Sequence, residues 1–145
     1  EKGVKVWTVN VDIYPINDDG NLIDAATMGA VAALRNGFIP ELDKDGKIDY
    51  EKKSSKKLPL SKEVYPLSFS FFKIGDSIIL DPTREEEEAS DTRITFGISK
   101  REGEHMVNSC QKKGEKPFTT EEMEKMMEIL PKKFDEINKK LKNFL

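Results

Sequence analysis

Positions 4–14 alternate in polarity. Trp7, Val9, Val11 and Ile13 fall on one side, and Thr8, Asn10 and Asp12 on the other. A period of two over a β-branched stretch predicts a half-buried strand. Asn17-Asp18-Asp19-Gly20-Asn21 follows, a dense run of turn formers. The pattern then changes. Apart from Thr27 and Gly29, residues 25–34 are apolar. Asp24 ahead of them suits the positive end of a helix dipole, and Gly37 behind them can close a helix in the left-handed conformation. A helix over 24–36 is predicted, buried on most sides. Its small side chains allow close approach to a sheet or another helix, so that Gly29→Leu would overpack the site. Residues 41–63 read as an insertion or linker: Asp43, Lys44, Asp45 and Gly46 form a turn, and Ile48 and Tyr50 suggest a short strand.

A second block starts near Val64. Leu67, Phe69 and Phe71 alternate with Ser68 and Ser70, which predicts a strand. Gly75-Asp76 turns the chain into Ser77–Leu80, a hairpin partner. Asp81-Pro82-Thr83 ends it, because proline has no N–H for a ladder. Ile94, Phe96 and Ile98 give a third strand, and residues 104–110, after Glu102-Gly103, a weaker fourth. Thr119 and Glu122 then form a capping box. Met123, Met126, Met127, Leu130, Phe134, Ile137 and Leu141 recur at helical spacing. Pro131 costs about 3 kcal/mol in a helix interior, so it should kink or divide this helix. The fold class expected is α+β: a strand and buried helix, then a four-stranded, mainly antiparallel sheet with a C-terminal helix. The first strand and helix are too little to fold alone. They need more of a domain, or they dock on the second block.

Composition narrows the classes. The chain has 145 residues, 37% apolar and 35% charged, with a formal charge of −3. That supports a core inside a charged shell and gives no sign of a globally basic nucleic-acid binder. No apolar run approaches the roughly 18 residues of a membrane span, so no membrane partner is expected. Glu1-Lys2-Gly3 shows no apolar leader, and a start at Glu1 suggests a cut or processing point. One cysteine, Cys110, and one histidine, His105, leave no internal disulfide, Cys-rich zinc site or multi-histidine metal site. A reducing, cytoplasmic compartment is the expectation.

Several clusters invite a chemical reading. Asp81 to Asp91 holds six carboxylates in eleven residues. Such a run could hold Mg²⁺, although a solvated inter-strand loop is the preferred reading. Lys52, Lys53, Lys56 and Lys57 could touch phosphates; a solvated linker is preferred. Met123, Met126 and Met127 read as core. His105 and Cys110 are read as sharing a strand face, with structural roles preferred over a catalytic pair. Trp7 reads as a buried strand anchor in preference to a base-stacking surface. Asp19-Gly20-Asn21-Leu22 precedes a helix N-terminus, where anions are favoured, yet no cation follows, so it reads as a turn.

These residues resemble a known family. Val6-Trp7-Thr8-Val9 through Val11-Asp12-Ile13-Tyr14, and Asn17 through Ala26, look like the RNase PH family. Phe72-Lys73-Ile74-Gly75 and Asp81-Pro82-Thr83-Arg84-Glu85-Glu86-Glu87 fit it in the same order, and the resemblance runs over about residues 4–140. It is closest to the exosome's RNase PH-like subunits of the non-catalytic type, archaeal first and eukaryotic ring relatives second. The resemblance implies the later half of a subunit: residues 1–40 as the end of a first domain, 41–63 as linker or insertion, and 64–145 as the second domain.

Catalytic members of that family shorten RNA from its 3′ end with inorganic phosphate as nucleophile. They hold the phosphate with a Gly-Thr-Arg or Gly-Ser-Arg segment, where this chain has Gly20-Asn21-Leu22. Leu22 offers no donor and no charge, whereas a charge-assisted hydrogen bond is worth roughly 1.5–3 kcal/mol. Asp91 matches the second of the family's two catalytic acids, and the first has no match. The implied function is a non-catalytic structural subunit of the RNA-degrading exosome ring. It would pair with a catalytic RNase PH-type subunit in a hexameric hetero-oligomer, with single-stranded RNA as substrate of the complex. The compartment implied is cytoplasmic, or nuclear and cytoplasmic in a eukaryote. No catalytic residue, metal or cofactor is assigned, and RNA-contacting residues are not legible. The alternatives are an active phosphorolytic 3′–5′ exoribonuclease and a protein-binding domain that has lost RNA.

Overall fold

The computed structural model describes residues 3–52, 54–61 and 64–144. Glu1, Lys2 and Lys53 of the features above lie outside the described residues. The elements are α1 (Leu22–Asn36), β1 (Leu67–Ile74), β2 (Ser77–Leu80), α2 (Arg84–Glu88), β3 (Thr92–Arg101), β4 (Glu104–Gly114) and α3 (Thr120–Leu141). The four strands form one antiparallel sheet in the order β2-β1-β3-β4. No described helix is long and apolar enough to cross a membrane.

The register separates the two faces of the sheet. Leu67 lies opposite Ile98, Phe69 opposite Phe96, and Phe71 opposite Ile94. Paired residues share a face, so these six apolar side chains make one continuous surface, and all are buried. Against it lies α3, with Met126, Leu130, Phe134 and Leu141 buried. Phe69 meets Phe134 at 6.5 Å between ring centroids, and Phe71 meets Phe96 edge-on at 6.1 Å. Each such side chain contributes about 1.5–3 kcal/mol on full burial. The capping box starts α3 as expected: Glu122 N–H donates to Thr119 Oγ1 (3.2 Å), and Thr119 N–H donates to Glu122 Oε2 (2.8 Å).

Two details of α3 differ from expectation. Met127 is 36% exposed and is not core, because it lies to the side of the Met126, Leu130, Phe134 line. Pro131 does not divide the helix, which runs unbroken to Leu141. The bond that proline removes would have ended on the carbonyl of Met127, on that exposed flank, where water can take its place.

The opposite face of the sheet is mixed, with Ser68 and Ser70 beside the buried Phe72 on β1. Ser68 and Ser70 lie opposite Gly97 and Thr95, and α1 docks on them. Thr27 and Ser68 share a hydroxyl hydrogen bond of 2.8 Å, and Ser70 Oγ donates to Asp24 Oδ1 at 2.8 Å. The expected burial of α1 on most sides is therefore corrected. Only Asp24 and Val31 are buried, because α1 packs through one side alone. A Cβ built on Gly29 meets nothing within 4 Å. Gly37 is extended, with φ −73° and ψ 151°. It leads directly into an isolated bridge between Phe38 and Lys57, which needs extended backbone. The left-handed residue stands instead at the head of the helix, at Asn21.

The strand expected over 4–14 does not form. Val4, Val6, Val9, Val11 and Ile13 are exposed. Alternation sets which face a side chain takes, but a strand also needs a partner, and none pairs with this segment among the described residues. Ile48 makes one isolated bridge, with Leu42, and Tyr50 is 90% exposed, so no short strand forms there. The acidic run is a short helix, not a loop: α2 begins with a second capping box, Thr83 with Glu86. The fourth strand, weak in the sequence, has 11 residues and a bulge opposite Gly97/Ile98.

Candidate functional site

The turn over 17–21 meets the loop that leads into α2, and glycine makes the meeting possible. Gly20 has φ +85°, and a Cβ there would stand 2.6 Å from the carbonyl oxygen of Pro82. Asp18 Oδ1 accepts the Gly20 N–H at 2.9 Å, which tightens the turn. Asn21 follows in the left-handed conformation, a state that asparagine tolerates, and it is only 7% exposed. Its Nδ2 donates to Asp24 Oδ2 at 3.1 Å and to Asp81 Oδ1 at 3.0 Å. Its backbone N–H donates to Glu87 Oε2 at 2.8 Å. Thus α1's N-terminus, α2 and the end of β2 converge on one residue.

Asp24 is the buried acid of the group. Burial raises its pKa above the ordinary carboxylate value, against the hydrogen bonds from Ser70 and Asn21, which favour the charged form; the nearby Asp81 charge adds to the rise.

A cavity of about 380 Å³ opens beside this junction. Leu22, 36% exposed, lies on its wall with Arg84, Glu87, Arg93 and Lys113. Arg84 is held by Glu88 at 3.1 Å, and Arg93 is 3.9 Å from Glu87. Arg93 and Lys113 are directly opposite one another on β3 and β4. The Nε of Arg93 is buried without a hydrogen-bond partner. An adjoining smaller cavity shares Glu87, Arg93 and Lys113 and includes Asp91. The structure therefore brings Leu22 and Asp91 to neighbouring sites.

Asp91 is occupied. It accepts the Lys116 ammonium at 2.7 Å and the Gly75 N–H at 3.1 Å, and Lys116 foremost holds its pKa below the usual range. It ties the β1–β2 turn to the segment before α3. Three of the four carboxylates of α2 are also committed, Glu86 to the cap, Glu87 to Asn21 and Glu88 to Arg84. Among the described residues no group of three or more His, Cys, Asp or Glu side chains is arranged to hold a metal ion.

The remaining clusters take structural roles. Strict alternation would put positions 105 and 110 on opposite faces. The bulge restores them to one face, with His105 opposite Lys100 and Cys110 opposite Phe96. His105 Nε2 lies 3.2 Å from Asp135 Oδ1 and edge-on to Phe134, and Lys100 joins the same carboxylate at 2.9 Å. Cys110 is exposed and free. Lys57 donates to the Arg35 carbonyl at 3.0 Å, capping α1's C-terminus, and Lys52 pairs with Asp49 at 3.1 Å. Trp7 is 48% exposed and is not a buried anchor. It lines an open cavity with Val6, Leu42 and Tyr50. Sequence reasoning missed Glu87, Arg93 and Lys113 as neighbours. Only the strand register could have joined the last two.

Comparison with known proteins follows this geometry. Two models of the 3′ exoribonuclease family match, domain 1 over residues 1–40 and domain 2 over residues 65–129. The "Exosome complex component Rrp42" of Thermoplasma acidophilum is 40% identical over 129 residues, which is 89% of this chain and 45% of that protein. Its namesake in Pyrococcus furiosus is 36% identical over 146 residues, covering 99% of this chain and 50% of that one. A solved "Archaeal exosome core" superposes with a TM-score of 0.71 at 28% identity, over 88% of this chain and 47% of that chain. An Archaeoglobus fulgidus exosome "with RNA bound to the active site" gives 0.62 at 27%, over 82% and 45%. The chain spans about half the length of the curated relatives it matches. Both of the family's domain signatures lie along it in order, with the second carried by the β1–β4 sheet, and the chain belongs to the 3′ exoribonuclease, or RNase PH, family.

Proposed function

We propose that this chain is part of a non-catalytic, structural subunit of an RNA-degrading exosome ring. It pairs there with a catalytic RNase PH-type subunit and helps to shape that neighbour's active site. Single-stranded RNA is the substrate of the complex. The names of the relatives and the likeness to archaeal exosome cores support the assembly. Residues 1–40 and 64–145 would then belong to two domains joined by 41–63, and the compartment would be cytoplasmic.

One observation carries the non-catalytic part. At the head of α1, where the family's catalytic members hold phosphate, Leu22 supplies no charge and the Asn21 N–H is already spent on the Glu87 carboxylate at 2.8 Å. A helix N-terminus attracts one anion readily, and here that anion is internal. Asp91, the remaining matched acid, is held by Lys116 and Gly75.

The test uses rings reconstituted from the full-length subunit and a partner whose catalytic carboxylates are removed. The expected result is no phosphate-dependent release of nucleoside diphosphates. Release above background that Asp91→Ala abolishes would overturn the reading in favour of an active phosphorolytic exoribonuclease.

A further inference from the structure

We propose that Glu87 is the resident anion of a cradle at the head of α1, and that its carboxylate keeps the cradle closed to external phosphate. The inference rests on the reading above that this site does no chemistry, and it adds how the site is shut.

The Asn21 N–H and the Arg93 guanidinium flank the position that the carboxylate holds, and Lys113 lines the cavities beside it. The Asn21 N–H donates to its Oε2 at 2.8 Å. The Arg93 guanidinium stands 3.9 Å from its Oε1. Lys113, directly opposite Arg93 in the next strand, lines both cavities that Glu87 borders. Two like charges placed directly opposite across a ladder repel one another. Such a pair is tolerated where an anion lies beside it, and Glu87 is the carboxylate that pairs with its Arg93 member. The closure is built by the fold: the capping box at Thr83 and Glu86 starts α2, and the near contact of Gly20 with Pro82 sets α2 beside Asn21.

The test is a titration of inorganic phosphate into the full-length subunit, followed by calorimetry and by the thermal midpoint. The unaltered subunit should bind phosphate weakly. Glu87→Ala opens the space and removes the competing charge, and should tighten phosphate binding by about tenfold or more, equivalent to about 1.4 kcal/mol. Glu87→Gln, nearly the same shape, removes only the charge and should give a smaller gain. Adding Arg93→Gln to either variant should abolish it. Equal binding by the unaltered subunit and the folded variants would overturn the proposal. If Glu87→Ala does not fold, absence of any gain in folded Glu87→Gln would do the same. Since the readout is equilibrium binding, its failure leaves the ring assay of activity untouched, and the reverse also holds.

Discussion

The carboxylate of Asp24, in the first turn of α1, lies 2.8 Å from the backbone nitrogen of Ser70 in β1. The reason is the shortness of β2, which ends at Leu80 opposite Phe71. Ser70 sits one position beyond, so its N–H would have no ladder partner inside a buried surface. Asp24 supplies the missing acceptor and takes the Ser70 hydroxyl with its other oxygen, also at 2.8 Å. One side chain thus completes a sheet edge and fixes a helix to it.

Removing that acceptor should be costly. Asp24→Ala leaves the Ser70 N–H buried and unpaired, at about 1–3 kcal/mol, read as a lower urea midpoint. Asp24→Asn keeps one acceptor and costs less. The pH dependence has a definite sign. Asp24's folded pKa is raised above its ordinary 3.8, so the folded state holds the proton more tightly, and this group's contribution to stability falls as pH rises from 3.8 through the folded value. The penalty of Asp24→Asn should therefore be largest near the acid end and shrink toward neutrality. A penalty that grows with pH would contradict the burial described.

Gly20→Ala should destabilise by more than about 1 kcal/mol, since alanine resists positive φ and its Cβ would strike the Pro82 carbonyl. Circular dichroism melts of the two chains check this. Because α2 would be pushed from Asn21, phosphate binding should change with stability.

Gly29 separates the chain from the larger subunit. With open space around it, Gly29→Ala should add about 0.5–1 kcal/mol to the helix in the 145-residue chain. In the full-length subunit, if the exposed side of α1 is covered there, Gly29→Leu should lose about 1–3 kcal/mol by overpacking. Melting both variants in both lengths measures whether that face acquires a neighbour.

Asp91→Ala should leave the phosphorolysis of rings reconstituted with an unaltered catalytic partner unchanged while loosening the β1–β2 turn, seen as faster amide exchange at Gly75. Lys116 and Gly75 lower its pKa. The stabilisation it gives is therefore present above the ordinary 3.8 and is lost as pH falls through the lowered value. A loss of ring activity without loss of stability would point to a chemical role instead.

The legible and illegible parts of this fold divide along physical lines. Leu67, Phe69 and Phe71 against Ser68 and Ser70 disclosed the strand and both of its faces, and Thr119 with Glu122 disclosed the start of α3. Both signals are local. Thr83 and Glu86 carry the same spacing, but four adjacent glutamates suggest repulsion and favour a loop. The cap and the Asn21 contact outweigh it. Trp7 to Ile13 alternates correctly, yet pairing is a property of two segments and not of one. The resemblance located Leu22 and Asp91, but what occupies their surroundings depends on register. The bulge that brings His105 and Cys110 to one face, and the pairing of Arg93 with Lys113, cannot be counted from either strand alone.

The bond between Asp24 and Ser70 spans 46 residues of chain, about two-thirds of them in the segment without regular structure between α1 and β1. Closing such a loop costs entropy that grows only with the logarithm of its length, about 0.6 kcal/mol for each doubling. Buried hydrogen bonds at the closing point outweigh that increment. The segment between Phe38 and Leu67 is therefore free to lengthen during evolution without unseating α1 from the sheet, and insertions should accumulate there before they accumulate in the two-residue turn at Gly75.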